Sequence, residues 1–286
     1  MASRKRADRS PLKDRRHIAS VLAEVLICRA CGWRIEFLSA GTKTFSDDEL
    51  LHILKCIFSI TRKRQWLNIG ALSKKQLGIF RPYIKGICGT VECINPELRK
   101  NLCPSKPLAP ILRMFRYCDE LNLKKSITII LGIGESLKDF ELLKRFVARH
   151  GISRITFYRL KPQKGTAFEH SKGPESCYFA EWLRKTRDAF PKIEIIVGSW
   201  ISHLDELHLL LKAGADSITK FPSIKLFGSA HARKIEREAG LAGRRFSGTL
   251  TRIPKIPLQG IDSLPKELQA KVKQRLAQYE RKMRHS

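Results

Sequence analysis

Residues 126–160, SITIILGIGESLKDFELLKRFVARHGISRITFYRL, contain the pattern that decides the fold. An apolar, β-branched run ends at Gly132, and a second such run begins just after Gly151. Between them, Ser136 stands as an N-cap ahead of an amphipathic helical segment that ends at Gly151. A buried strand, a helix and another buried strand predict a right-handed crossover between two parallel strands.

The same unit repeats from Trp33 to Lys220, where seven short apolar runs alternate with helical segments. The predicted strands are 33–39, 65–70, 89–93, 126–132, 153–160, 193–199 and 216–220. Helices are predicted to begin at Asp47, Ser73, Leu108, Ser136, Glu175 and His203, with Ser46 and Glu49 forming a capping box. The pattern predicts an α/β protein with a TIM-type (β/α) barrel, in which chemistry lies at the C-terminal ends of the strands.

The length and composition fit one large domain with a short extension. At 286 residues, an α/β barrel over 1–255 leaves a basic C-terminal extension over 256–286, and the residues from Leu264 onward predict a solvated helix. No apolar run reaches the ~18 residues of a membrane span. The basic N-terminus lacks the apolar core of a secretory signal. We therefore expect a cytoplasmic protein without membrane contact.

The charge of the chain is strongly positive. It contains 55 Lys and Arg against 27 Asp and Glu, a net charge of +28. Such a charge attracts polyanions, including nucleic acids and nucleotide phosphates. Because the charge is spread along the chain rather than confined to one stripe, we expect weak, non-specific nucleic-acid binding at most; a charged surface without a partner is the alternative.

One Cys-x2-Cys pair, Cys28 and Cys31, raises the question of a metal site. It lies at the end of a predicted first helix, roughly residues 11–31, and Gly32 follows as a C-cap. Cys28 falls on the apolar stripe of that helix. A two-cysteine zinc site needs a second pair of ligands, and the chain has no second Cys-x2-Cys. We expect both residues to be reduced core thiols and predict no metal ligands.

Four loop motifs occur in order along the predicted strands: EFLSAGT (36–42), TVECINPEL (90–98), IILGIGES (129–136) and ITFYRLKPQKGTAFE (155–169). Together they resemble the radical S-adenosylmethionine (SAM) superfamily, close to its biotin synthase-like (biotin synthase-related) branch. The resemblance covers about residues 11–250. It implies a radical SAM-type (β/α) barrel whose first strand is missing here.

The resemblance also implies the residues that contact SAM. The first motif is similar to the segment whose backbone receives the methionine amino group, and Glu92 matches a carboxylate that binds the ribose hydroxyls. The third motif lies beside the adenine, and the fourth projects cations suited to a carboxylate or phosphate. The implied cofactor-binding residues are Ser39, Ala40, Gly41, Thr42, Glu92, Gly132, Ile133, Gly134, Arg159 and Lys161.

Non-functional interpretations of these residues stay open. At Gly41, glycine would supply both the backbone conformation of a tight turn and room for a ligand to approach. Glu92 could instead cap a helix or pair with a lysine, and the GIGES segment could be an ordinary strand-to-helix turn. Strand alternation places Arg159 and Lys161 on one face near the barrel mouth, where they could be no more than solvated charges.

The main departure from the family concerns its iron–sulfur cluster. Radical SAM proteins carry Cys-x3-Cys-x2-Cys after their first strand, and the three thiolates hold a [4Fe-4S] cluster. Because Ser39–Gly41 matches the end of the second family strand, that loop should lie upstream of the first helix, at or before Met1. The 286 residues do not contain the motif. We expect a misplaced or truncated start rather than true loss.

A complete family member would cleave SAM reductively at the cluster and begin hydrogen abstraction from a substrate, which this sequence does not identify. SAM, the [4Fe-4S] cluster and an electron donor such as ferredoxin or flavodoxin are the implied cofactors and partner. One alternative is a cluster-less barrel that binds SAM, an anion or RNA without radical activity. Another is an aldolase-type barrel in which Lys220, at a strand end, forms a Schiff base.

Overall fold

A computed structural model describes residues 15–41 and 44–284. Within them, seven strands form one parallel sheet in chain order, each strand pairing with the next. The strands are β1 Leu38–Ser39, β2 Gln65–Asn68, β3 Ile84–Glu92, β4 Lys124–Leu131, β5 Arg154–Arg159, β6 Glu194–Gly198 and β7 Ser217–Thr219. The predicted number, order and parallel direction of the strands are confirmed.

The helices alternate with the strands, as the crossover pattern predicted. They are α1 Ile18–Ala30, α2 Asp47–Thr61, α3 Lys74–Phe80, α4 Pro96–Leu102, α5 Ala109–Glu120, α6 Phe140–His150, α7 Ser176–Ala189, α8 Leu207–Lys212, α9 Ala230–Leu241 and α10 Lys266–Arg284. The predicted capping box at the start of α2 is confirmed, because Ser46 and Glu49 exchange side chain-to-backbone hydrogen bonds. Short 3₁₀ segments, Leu137–Asp139 and Ile201–Glu206, precede α6 and α8.

The sheet has an apolar convex face and a polar concave face. On β4 and β5, Ile127, Ile129 and Phe157 are fully buried in the main core, beneath helix residues such as Phe179. Each such side chain contributes about 1.5–3 kcal/mol of hydrophobic burial. Most alternate residues of the same strands are polar, and with Ile130 they share the opposite face: Ser126 and Thr128 of β4 pair with Arg154 and Thr156 of β5, and Ile130 pairs with Tyr158.

The sheet is a half-barrel rather than the closed barrel predicted. In the described part of the chain, β1 and β7 each pair with only one neighbour. Side chains from the segment before β1 connect the two edges instead: the Glu36 carboxylate accepts from Thr219 Oγ1 at 2.5 Å, and Arg34 lies 3.6 Å from Glu194. The concave face is therefore spanned by polar contacts near its open side.

A second core lies between α1, α2 and α10 and corrects the expectation of a solvated C-terminal helix. Val272, Leu276 and Met283 of α10 are buried against Leu22 and Leu26 of α1. The exposed side of α10 carries most of its Lys and Arg residues. The C-terminal segment is thus an integral part of the packed structure. None of the helices among the described residues is long and apolar enough to cross a membrane.

Candidate functional site

The loops after β1 to β4 adjoin at the carboxyl edge of the sheet. The Ala40 amide donates to the Asn68 carbonyl at 3.4 Å, and Thr90 Oγ1 donates to Asn68 Oδ1 at 3.1 Å. Farther along, Asn95 Nδ2 donates to Asp139 Oδ1 at 2.8 Å and joins the loops after β3 and β4. Ligands of parallel α/β sheets bind at this edge, so three of the four predicted motifs converge where a ligand is expected.

The loop after β1 is exposed, but its backbone already makes hydrogen bonds of its own. Ser39 and Gly41 are exposed, and the Gly41 carbonyl accepts from the Thr44 amide at 3.1 Å and from Thr44 Oγ1 at 2.8 Å. Gly41 does not adopt a left-handed conformation, so the expectation that this turn needs glycine for its φ is wrong. A Cβ there would closely approach only Thr44 Oγ1. Thr42 lies outside the described residues.

Glu92 ends β3 in a left-handed conformation, with φ of 62°. Non-glycine residues rarely adopt this conformation, which occurs often at functional sites. Its Oε1 contacts Lys106 Nζ at 2.9 Å and its Oε2 accepts from Cys103 Sγ at 3.6 Å. The lysine pairing considered for Glu92 is thus present. Since the Lys106 side chain is 53% exposed, the pair adds little stability and can exchange for a ligand.

The glycines after β4 shape a tight loop that is closed by Glu135. Gly132 and Gly134 have φ of 94° and 111°, and a side chain at Gly132 would overlap Pro174. The Glu135 carboxylate accepts from the Gly132 amide at 2.7 Å and from the Ile133 amide at 2.9 Å. These bonds make the segment a stable strand-to-helix turn and occupy both amides. Contact with adenine stays a prediction for this loop.

Arg159 does not project into the barrel mouth as predicted. It is 3% exposed on the convex side, where its guanidinium forms a two-point ion pair with Glu206, also buried. It also donates to the Pro174 carbonyl and to Ser176 Oγ. Lys161 is exposed, so the two cations lie in different environments. The position of Arg159 fits a structural ion pair that fastens the loop before α7 to the 3₁₀ segment before α8.

Two lysines at strand ends lie on aromatic rings. The exposed Lys161 places its Nζ 4.8 Å from the centre of the Trp200 ring. Lys220 has φ of 70°, and its Nζ lies 4.5 Å from the centre of the Tyr158 ring. Both contacts are of the cation–π type, which stabilises an ammonium rather than a neutral amine. This geometry gives no support to a Schiff-base role for Lys220.

A polar network fills the concave face, and the sequence interpretation did not include it. The Glu36 carboxylate accepts from Thr156 Oγ1 at 3.1 Å, Tyr158 Oη at 2.8 Å and Thr219 Oγ1 at 2.5 Å. The Arg154 guanidinium donates to the Glu36 carbonyl at 2.5 Å. Burial, followed by the Glu36 charge and the hydrogen bond to it, raises the pKa of Tyr158 far above its usual value. Tyr158 is thus a fixed, neutral donor.

Next to this network, three buried polar groups have no partner among the described residues. They are Arg154 Nε, Ser126 Oγ and Thr128 Oγ1. Ser126 and Arg154 are paired across β4 and β5, and Thr128 pairs with Thr156, so all share the concave face. Arg154 also lies 4.8 Å from the Trp66 ring centre. Unsatisfied buried groups are costly, and this cluster could bind an oxygen-rich ligand group.

A sequence signal for this face exists in the alternation of β5. Ile155 and Phe157 alternate with Thr156 and Tyr158, which predicts one apolar and one polar face. Parallel strands covered on both sides are usually apolar throughout. A polar face in such a strand indicates a lumen that holds water or ligand. Glu36, inside a predicted strand, is the second signal.

The cysteines do not form a metal site within residues 15–41 and 44–284. All eight are free, and no group of three potential ligands occurs there. Burial raises the pKa of Cys28 to about 12 and that of Cys31 to about 11, so both are neutral thiols at physiological pH. This geometry agrees with their interpretation as core thiols.

His203 and His208 have a spacing that zinc sites use, but they take separate partners. His208 Nδ1 lies 2.7 Å from Glu238 Oε2, and His203 Nδ1 lies 2.8 Å from Ser202 Oγ. Glu238 is almost fully buried, whereas Ser202 is exposed. The two histidines therefore stabilise local contacts rather than face a common ion.

Among curated proteins, two relatives come from Methanocaldococcus jannaschii. The uncharacterized protein MJ0597 is 37% identical over 253 residues, which span 88% of this chain and 70% of that protein. The uncharacterized protein MJ0785 is 27% identical over 154 residues, 53% of this chain and 41% of that protein. No family model matches the chain.

Solved structures with the same architecture include methylornithine synthase (PylB), with a TM-score of 0.61 and 16% identity over 79% of this chain and 72% of that chain. The FeFe-hydrogenase maturase HydG from Carboxydothermus hydrogenoformans has a TM-score of 0.62 and 16% identity over 95% of this chain and 73% of that one. Both are radical SAM enzymes, and the likeness shows a shared fold. At 37% identity over most of both lengths, the chain belongs to the same family as the uncharacterized protein MJ0597 of Methanocaldococcus jannaschii.

Proposed function

We propose that this chain is the SAM-binding half-barrel of a radical SAM-type enzyme. The observation that carries the proposal is a parallel half-barrel, shared with PylB and HydG, whose concave face is polar and whose predicted SAM loops adjoin at its carboxyl edge. An ordinary structural barrel fills its interior with branched apolar side chains. A polar interior at the mouth of a cofactor-binding fold favours binding of a small polar molecule.

The residues at the carboxyl edge fit SAM. The exposed backbone at Ser39–Gly41 can accept from an ammonium group once the Gly41 carbonyl leaves Thr44, and the Glu92 carboxylate can accept from ribose hydroxyls once it leaves Lys106. Bound SAM supplies a 5′-deoxyadenosyl group for radical chemistry. The half-barrel would orient SAM and exclude water from the concave face.

A [4Fe-4S] cluster does not fit the described residues. Such a cluster needs three thiolates in one loop, whereas the sole Cys-x2-Cys pair, half-buried Cys28 and buried Cys31, lies at the end of α1 as neutral thiols. The proposal therefore assigns SAM and substrate binding to this chain and assigns it no cluster ligands. The electron donor that the family uses is proposed only for an assembly that has those ligands.

The concave face is the proposed substrate side. The substrate groups that it can receive are set by the fixed Glu36 carboxylate, by the neutral Tyr158 hydroxyl and by the unpartnered donors at Arg154, Ser126 and Thr128. A donor cluster beside a fixed carboxylate orients a molecule that carries both hydrogen-bond acceptors and donors. The identity of that molecule is not assigned.

Gly41→Val tests the SAM assignment directly. Because Gly41 has an ordinary φ and is exposed, and its Cβ would overlap only the Thr44 hydroxyl, the variant should fold after a small shift of Thr44, while its added methyl groups occupy the space above the exposed backbone. We expect the Kd for SAM, measured by calorimetry, to rise at least about tenfold, a loss of about 1.4 kcal/mol. Gly78→Val is the matched control, since Gly78 is exposed on α3 with nothing near its Cβ position.

The control should bind SAM as the unaltered chain does. Absence of SAM binding in the unaltered chain, or equal affinity in folded Gly41→Val, would overturn the proposal. In that case the half-barrel would bind a ligand other than SAM. A cluster-less barrel that binds SAM, an anion or RNA without radical activity stays the alternative proposal.

A further inference from the structure

A basic cleft lies at the end of the molecule opposite the proposed SAM site. It has a volume of about 560 Å³ and is lined by Arg244, Arg245, Phe246, Thr249, Arg252 and Ile253. We call it the arginine cleft. These residues come from the loop after α9, a segment that no motif of the sequence singled out.

The position of the arginine cleft follows from its contacts with the amino-terminal side of the sheet. Arg244 donates to the carbonyls of Ala215 and Leu211, at 2.9 and 3.0 Å, just before β7 begins. The Thr249 amide donates to the Cys31 carbonyl at 3.0 Å, and the Thr249 carbonyl accepts from Trp33 Nε1 at 2.7 Å, ahead of β1. The cleft is therefore separate from the carboxyl edge of the strands.

Two guanidinium groups in this cleft are uncompensated. Arg245 and Arg252 are exposed, and their side chains form no hydrogen bond or ion pair within residues 15–41 and 44–284. Glu236 is the acidic residue of the lining, but its Oε1 accepts from the Leu250 amide at 2.8 Å and its Oε2 from Thr251 Oγ1 at 3.1 Å. An incoming anion thus meets two unpaired arginines in a concave surface.

The surrounding chain extends this positive field. Residues 221–286 contain fifteen Lys and Arg but only five Asp and Glu. Arginine is the residue best suited to phosphate oxygens, because its planar fork donates two parallel hydrogen bonds. An open cleft with a half-buried aromatic residue, Phe246, also matches the combination of cations and ring faces that binds single strands.

We propose that the arginine cleft binds the phosphodiester backbone of a single-stranded nucleic acid. A single isolated phosphate would need an enclosed pocket, whereas this cleft is open and continues into a basic surface. A single strand leaves its bases free to contact the Phe246 ring, whereas a duplex keeps its bases stacked inside. The inference does not rest on SAM binding, because the two sites use different residues at opposite ends of the sheet.

A paired charge-removal experiment tests the cleft. Arg245→Gln with Arg252→Gln removes its two free cations. Arg281→Gln with Arg284→Gln removes the same charge from the exposed end of α10. That end lies near Arg16, as the contact between Arg16 and Tyr279 shows, whereas the cleft contacts the other end of α1. The helix separates them by roughly 20 Å.

The probe is a fluorescent single-stranded RNA oligonucleotide of mixed sequence, titrated with the full chain across a salt series. We expect the slope of log K against log salt to weaken by about 1.4 in the cleft variant, since each single-strand phosphate contact contributes about 0.7. Affinity at low salt should fall at least about tenfold. The α10 control should retain most of its affinity, and single-stranded DNA should behave like RNA.

Equal losses in the cleft and α10 variants would show diffuse attraction and overturn the proposal. Absence of binding near physiological salt would also overturn the proposal. A duplex that binds as tightly as the single strand would do the same. Thermal unfolding of both variants checks that they fold; the four mutated side chains are exposed and form no hydrogen bond or ion pair within residues 15–41 and 44–284, so we expect unchanged transitions.

Discussion

Tyr158 makes the free energy of unfolding of the half-barrel depend on pH in the alkaline range. Its hydroxyl donates to Glu36, and burial raises its folded-state pKa far above the unfolded value near 10. The folded state therefore keeps a proton that the unfolded state loses. The resulting stabilisation is complete below pH about 10 and declines as the pH rises further, by up to about 1.4 kcal/mol per pH unit.

Denaturant unfolding of the unaltered chain and of Tyr158→Phe between pH about 9 and about 11 measures this effect. The phenylalanine variant should be less stable at pH 9, because it leaves one oxygen of Glu36 with fewer donors. Its stability should then fall less steeply with pH. Parallel curves for the two proteins would show that Tyr158 ionises freely in the folded state.

Gly198 allows the Tyr158 ring to lie across β6. The two residues are paired between β5 and β6, and a Cβ on Gly198 would overlap the edge of the ring. Gly198→Ala should therefore displace the ring, weaken the bond to Glu36 and lower the free energy of unfolding by about 1–3 kcal/mol. A double-mutant cycle with Tyr158→Ala measures the coupling.

In that cycle, Gly198→Ala should lower the free energy of unfolding far less in the Tyr158→Ala background than in the unaltered chain. Additive effects of the two substitutions would mean that the ring does not constrain Gly198.

The polar character of β5 could be predicted from its alternation, but the partners of Glu36 could not. Tyr158 and Thr219 lie 122 and 183 residues from Glu36, and only the folded sheet brings them together.

Among the elements, α10 differs most from the prediction made from the sequence. Its high charge suggested a solvated helix, yet every third or fourth position is apolar, with Val272, Leu276 and Met283 buried on α1. Leu276→Ala should lower the free energy of unfolding by about 2–5 kcal/mol, through lost burial and a cavity. Thermal or denaturant unfolding measures the loss.

Lys273→Ala provides the control on the exposed side of the same helix, and it should change stability by less than about 0.5 kcal/mol. Equal, small effects of both substitutions would return α10 to the role of a solvated extension. The helix is charged and yet docked because one narrow apolar stripe is sufficient for packing against a neighbouring helix.

Capping residues and other short sequence patterns predicted the positions of most other elements. The capping residues Ser46 and Ser73 fix the starts of α2 and α3, since each bonds the backbone three residues later. The strand predicted over 33–39 shrinks to Leu38–Ser39, because strand assignment depends on a partner and only these two residues pair with β2. The short helix α4 was missed, although Asn95 and Pro96 form a typical helix start.

For the whole molecule, the seven-strand order follows from the repeating crossover pattern and the polar face of β5 from its period-two alternation, whereas the partners that meet in the polar lumen do not follow from the sequence. Period-two alternation places Arg159 with Ile155 and Phe157 on the convex face, so its burial with Glu206 could have been inferred from the strand register. Its basic character at a strand end pointed instead to a ligand. The face of β5 on which Arg159 lies determines that the side chain is buried, whatever its charge.

The last prediction concerns the cluster and addresses the molecule as a whole. Anaerobic reconstitution with iron and sulfide should not yield a stable [4Fe-4S] cluster on this chain. The physical reason lies in the thiols: a cluster needs three thiolates in one loop, and the Cys-x2-Cys pair supplies only two thiols, whose pKa values desolvation raises to about 12 for Cys28 and about 11 for Cys31. Iron and sulfide content after desalting, together with the visible absorbance, measures the outcome, and HydG treated in parallel serves as the positive control.

Cys28→Ser with Cys31→Ser should retain the same trace of iron as the unaltered chain. Stoichiometric iron and sulfide that disappear in the serine variant would contradict the prediction and would make the end of α1 a cluster site after all.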